Sequence, residues 1–176
     1  MFMRFGFRKT SMDEVARAAS VSRQGLYLHF STKDDLFRAT VDYALESSFS
    51  AAEARLNAAS AAPVASKLVG AFDEWVGRYV GWVGPGVSDL AEVSDELVGP
   101  LLREYDKRFV ELVAKYVRSS GLGAAYKPAG LRARQLASTL NATARGLKYA
   151  SATREGFVDS MSVAVRALCL PLAEPK

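Results

Sequence analysis

Arg23, Gln24, Gly25 and Leu28, in the run SRQGLYLHF from Ser22 to Phe30, have side chains whose types and spacing could read DNA. Arg and Gln form bidentate hydrogen bonds to guanine and adenine edges, Leu meets a thymine methyl, and Gly permits a close backbone approach. His29, the only histidine, suits a packing or phosphate contact better than metal ligation.

Two short helices must hold that run. Ser11 followed by Glu14 makes a capping box and starts the first at about Ser11, with Val15, Ala16 and Ala19 on an apolar face. It ends near Ser20, and Ser22 caps the second, in which Leu26, Tyr27 and Phe30 form the apolar stripe. So tight a connection gives a helix-turn-helix pattern. Thr32 caps a third helix, whose first turn holds Asp34 and Asp35. Its pattern continues through Val41, Leu45, Phe49 and Ala52 to Leu56.

These residues resemble the TetR family of bacterial transcriptional regulators. The resemblance rests on Gly6-Phe7 before Thr10-Ser11, on Val15-Ala16, Val21-Ser22, Leu26-Tyr27 with Phe30, and on Lys33 before Leu36-Phe37. It implies that Arg23, Gln24, Gly25 and Leu28 face base edges while Thr10, Ser11, Tyr27 and Lys33 hold phosphates, roles that hydroxyls and a lysine suit. Ser22 and His29 complete the expected DNA-binding set. Two departures stand out. Ser20 occupies the turn where glycine is commoner, and only MFMRF precedes Gly6, so that Phe2 and Phe5 read as the last turn of a first helix. Either the true start lies upstream of Met1 or the DNA-binding half is weakened.

Composition supports an ordered, reducing-compartment protein: 176 residues, 49% apolar, one cysteine, and net charge +4. The lone Cys169 precludes an internal disulfide, and the expected site is cytoplasmic. No uncharged apolar stretch approaches a membrane span, so no membrane partner is expected. Residues 1–40 carry seven basic side chains against four acidic, a balance that favours DNA. No nucleophile elbow, Walker loop, HExxH or framed carboxylate pair occurs, so neither an enzyme nor a metal or cofactor site is expected.

Beyond the Ala- and Ser-rich stretch before Pro63, Leu68, Phe72, Trp75, Tyr79 and Trp82 share one helical stripe that Gly84-Pro85-Gly86 would end. The interleaved Gly70, Gly77 and Gly81 suggest close approach of a neighbour or a ligand. A short helix from about Ser88 to Leu97 follows, and Pro100 opens another carrying Tyr105 and Phe109. A small apolar effector would fit between those elements, against Phe72, Trp75, Tyr79, Trp82, Tyr105 and Phe109, with Asn141 and Arg145 to orient it. The last helices run from about Ala129 to Ser151 and Arg154 to Leu170. Their stripes are Ala133, Leu136, Leu140, Ala144 and Leu147, then Phe157, Met161, Ala164 and Leu168. The resemblance implies a homodimer bundle there, with intramolecular core as the alternative use of the same stripes. From Leu112 to Arg154 the chain is basic without one acid. An inward Arg145 or Lys148 would point to an anionic effector such as a carboxylate or acyl thioester.

The resulting expectation is an all-α chain with a helix-turn-helix head at 1–40, a connecting helix and loop at 41–62, and an effector-binding and dimerisation body at 63–176. Its partners would be a palindromic double-stranded operator, an unknown small molecule and a second copy of itself. The runner-up is a helical ligand- or partner-binding protein whose head no longer grips DNA.

Overall fold

The computed structural model describes residues 1–59, 61–81 and 88–172, with side chains apart from those of residues 3 and 88–94. Among them the chain is all-α, with no strand. The helices are α1 (Phe2–Phe5), α2 (Met12–Ala18), α3 (Arg23–His29), α4 (Lys33–Asn57), α5 (Val64–Trp75), α6 (Ser88–Ser119), α7 (Leu122–Ala125), α8 (Ala133–Ala150) and α9 (Arg154–Cys169). Short 3-10 turns occupy Gly77–Tyr79, Lys127–Ala129 and Leu170–Leu172.

The chain divides into two compact units, along different lines from the 1–40, 41–62 and 63–176 expectation. One holds Met1–Glu46 with the start of α6 up to Glu104; the other holds Ser47–Gly81 with the chain from Tyr105 onward. The reason is length. α4 has 25 residues and α6 has 32, about 37 and 48 Å at the helical rise, so each supplies side chains to both units.

The first unit is built on Phe2, Phe7 and Phe37, whose ring centroids lie 5.2 to 5.8 Å apart. Met12, Ala16, Leu26, Leu36 and Val98 close the same core. Each buried ring contributes roughly 2–3 kcal/mol. Phe2 therefore anchors the four-residue α1. In the turn after α2, Ser20 has φ +55°, the left-handed conformation that glycine adopts more cheaply.

The second unit packs α5 against α9 and α8 against α9. Phe72, Phe109, Phe157, Leu68 and Met161 are fully buried there. Glu74, itself buried, receives Arg55 at 3.0 Å and Arg78 at 2.7 Å, which ties the C-terminal part of α4 to the end of α5.

Three boundaries differ from expectation. The aromatic stripe does not continue as one helix: α5 stops at Trp75, and Gly77–Tyr79 is a 3-10 turn. A Cβ on Gly77 would come within 2.9 Å of the Phe157 ring, so this glycine serves a close approach of protein, not a ligand. Second, α6 runs unbroken through Pro100, where two helices were expected. The proline removes one helical hydrogen bond, but buried Val98 before it and buried Tyr105 after it hold the helix on both sides. Third, α8 starts at Ala133 because Leu122–Ala125 and Lys127–Ala129 occupy the approach as separate short turns. The Gly84-Pro85-Gly86 terminator lies outside the described residues.

Candidate nucleic-acid interface and effector site

Side-chain caps fix the head's local geometry. Ser11 Oγ accepts from the Glu14 amide at 3.3 Å while Glu14 Oε2 accepts from the Ser11 amide at 2.8 Å, completing the capping box. Those bonds, backbone first, hold the Glu14 carboxyl below its ordinary pKa. Ser22 Oγ accepts from the Gly25 amide at 2.9 Å and starts α3. Thr32 and Asp35 exchange a reciprocal pair at 3.0 and 3.1 Å ahead of α4. Each cap satisfies amides that a helix start leaves free.

With its start fixed, α3 buries one side chain, Leu26. Arg23, Gln24, Tyr27, Leu28 and His29 are all exposed, and Leu28 is 79% exposed. An apolar side chain that open, on a helix capped and aimed by its neighbours, is suited to an external partner. Arg23 is pre-set: it forms a two-point contact with Asp13 at 3.1 Å and lies 5.6 Å from the Tyr27 ring centroid. Gly25 has open space except for Ser22 Oγ, 3.0 Å from where a Cβ would sit.

Two residues expected at phosphates are engaged within the head. Thr10 is 1% exposed and its hydroxyl donates to the Gly6 carbonyl at 2.7 Å, so it closes the turn after α1 and is not a phosphate ligand. Lys33 Nζ donates to the Phe7 carbonyl at 3.2 Å and sits 4.3 Å from the Phe7 ring centroid. Ser11 is exposed but committed to its cap.

The model of bacterial regulatory proteins, tetR family, matches residues 1–40. The head is a TetR-family head. The whole chain is also similar to the crystal structure of a transcriptional regulator from Rhodococcus sp. Rha1, at 18% identity, with a TM-score of 0.67 over 96% of this chain and 89% of that one. At that identity the likeness extends the shared fold from the TetR-family head to the body.

In the body, several expected pocket residues pack on one another. Phe72 meets Phe109 edge-on at 5.2 Å, and Trp75 stacks on Phe109 at 4.8 Å. These rings are core. Tyr105 is also buried, with the Arg108 guanidinium 4.6 Å from its ring centroid. Tyr79 lies beyond the end of α5, and its hydroxyl is 2.6 Å from that of buried Ser48 on α4. Trp82 lies outside the described residues. Asn141 is buried and donates to Asp106 at 2.9 Å, whereas Arg145 is exposed and reaches Asp106 only at 4.0 Å. The sequence did not reveal an open groove between α5 and α9, edged by Arg55, Ser66, Val69, Asp73, Ser162 and Arg166.

The expected dimer stripes face inward. Leu136, Leu140, Ala144, Phe157 and Met161 are each at most 4% exposed, so they are the protomer's own core and cannot meet a second copy. Ala133, Leu147, Ala164 and Leu168 are half-buried beside them. The open side of the pair carries Ala142, Gly146 and Tyr149 on α8, and Val163 and Ala167 on α9 followed by Leu170. Their three- and four-residue spacing could have revealed this second stripe, but the larger apolar residues opposite outweigh it.

Among the described residues no cluster of three or more His, Cys, Asp or Glu could hold a metal. No helix among them is long and apolar enough to cross a membrane.

Proposed function

We propose that this TetR-family regulator binds a palindromic operator as a homodimer and releases it when a small molecule occupies the body. The observation that carries the reading is α3, a helix capped at Ser22 that buries only Leu26 and leaves Gln24, Tyr27 and Leu28 to an outside surface. Arg23, Gln24, Gly25 and Leu28 read base edges, while Tyr27, His29, Lys33 and the starts of α2 at Ser11 and of α3 at Ser22 lie along the phosphates. Reaching phosphate would require Lys33 to leave the Phe7 carbonyl. A two-fold pair would set its recognition helices about one DNA turn apart.

The dimer face is the open side of α8 and α9. Tyr149 is 86% exposed and Val163 is 60% exposed, and Gly146, Ala142 and Ala167 between them let two helices approach closely. An effector in the body shifts the population of α4 positions and thereby the spacing of the paired heads. The runner-up, a protein whose head no longer grips DNA, loses support because Phe2, Phe7 and Phe37 still build an aromatic core for the head.

Sedimentation with operator duplex, repeated with each small molecule that binds the body, tests the whole reading. The expected complex has two chains per duplex and dissociates with at least one such molecule. One chain per duplex, or an operator affinity unmoved by every molecule that binds, contradicts it.

A further inference from the structure

Folding of the head brings together two opposite charges ten residues apart. Asp13 is the second residue of α2 and Arg23 the first of α3, each placed by the serine cap just before its helix, Ser11 and Ser22. Arg23 Nε and Nη1 each donate to an oxygen of the Asp13 carboxylate at 3.1 Å, and the guanidinium carbon lies 5.6 Å from the Tyr27 ring centroid. The arginine is thus held on two sides. Glu14, the other acid in the first turn of α2, has its carboxylate on the Ser11 amide and hydroxyl, and Arg17 Nε reaches only the Asp13 main-chain carbonyl, at 3.5 Å. Among these neighbours Asp13 is the acid that meets Arg23.

Stability does not account for the pair. Both side chains are more than half exposed, where an ion pair adds little after solvent screening and lost side-chain freedom. The donor count gives it another use. A guanidinium carries five N–H donors in a planar fork, and the Asp13 contact takes two of them, one on Nε and one on Nη1. One hydrogen on Nη1 and two on Nη2 stay available, enough for the bidentate contact to guanine O6 and N7. Asp13 can therefore keep its hold while Arg23 meets a base.

We propose that Asp13 is a positioning residue for base reading, which holds Arg23 by its Nε side, keeps the terminal nitrogens free for guanine and disfavours DNA that lacks the matching base. A side chain with as many rotamers as arginine loses less freedom on binding when it is held beforehand. The carboxylate also repels phosphates on every sequence, and only a base that satisfies Arg23 offsets that repulsion. Selectivity rises while affinity for random DNA falls. The inference rests on the reading that Arg23 meets a base edge, and it adds the residue that aims it.

Fluorescence anisotropy of the whole chain at one fixed salt concentration tests it, on a duplex that the chain selects from a random library, on single-pair substitutions of that duplex, and on random DNA. Arg23→Ala first identifies the pair that Arg23 reads, as the position where preference falls about tenfold or more. Asp13→Asn and Asp13→Ala are expected to cut preference at that pair about threefold to tenfold and to leave the other positions unchanged. Both should tighten binding to random DNA about twofold to threefold, because a negative charge leaves the phosphate field. In an Arg23→Ala background neither should alter any preference, although the gain on random DNA persists. A merely structural role would instead weaken every duplex together. Asp13→Asn keeps the side chain's shape and decides the matter where Asp13→Ala melts early. An unchanged preference in Asp13→Asn, an equal loss at every position, the same loss without Arg23, or no gain on random DNA overturns the proposal. Absence of any position-specific loss in Arg23→Ala overturns the reading of Arg23 as well, which tells the two failures apart.

Discussion

Helices α3 and α9 solve opposite problems. Over seven residues α3 buries Leu26 alone and relies on a serine cap, whereas α9 inserts Phe157, Met161 and Val165, none of them exposed at all, into the core of its unit. The first is held by hydrogen bonds within three residues, the second by side chains distant in sequence. A surface that reads a partner stays open, and stability must then come from the few groups beneath and before it. A surface that builds the core has none left for a partner, which is why the interior stripes of α8 and α9 cannot serve as a dimer interface.

Substitutions should separate the two helices. Phe157→Ala empties a fully buried ring site beside Gly77, and an equilibrium melt should register a loss of about 3–5 kcal/mol. Its effect on DNA should follow from unfolding alone. Gln24→Ala should leave the melt unchanged yet cost about 1–3 kcal/mol of discrimination at a single base position. Lys33→Ala should weaken specific and random DNA together; a loss confined to the operator would mean that its tie to Phe7 positions the reading helix instead. Ser22→Ala lies between the two classes, removing the Gly25 bond and about 1 kcal/mol of stability from the helix proposed to read DNA.

The smallest effect concerns pH. Bonding to Ser11 lowers the Glu14 pKa from 4.5, so the folded state favours the carboxylate. Its contribution is complete above 4.5 and is lost as pH falls through the lower folded value. Glu14→Gln should flatten the stability profile of the first unit in that acid range, and a profile unchanged by the substitution would show that the capping box contributes nothing to it.

What was legible in the sequence follows the same division. Ser11 with Glu14, Ser22, and Thr32 announced three helix starts because a cap and its amide lie within three residues. Arg23, Gln24, Leu28 and His29 followed from the same periodicity, whereas Tyr27, which the spacing put in the apolar stripe with Leu26, is exposed because α3 buries Leu26 alone. Thr10 and Lys33 were harder: their partners, the Gly6 and Phe7 carbonyls, depend on how the chain folds back around α1. Pro100 read as a boundary because a local rule speaks against proline inside a helix, and burial on both sides outweighed it. The stripes of α8 and α9 were read correctly as apolar, but only packing shows which side meets the protomer's own core.

The central claim, that α3 reads sequence from the first unit as it stands, is tested most directly by fluorescence anisotropy of the whole chain on duplexes selected from its own genome against random DNA, across a salt series. The account predicts selected-site binding tighter than random binding at every salt concentration, with affinity for both falling steeply as salt rises. Equal affinity for selected and random duplexes would contradict it.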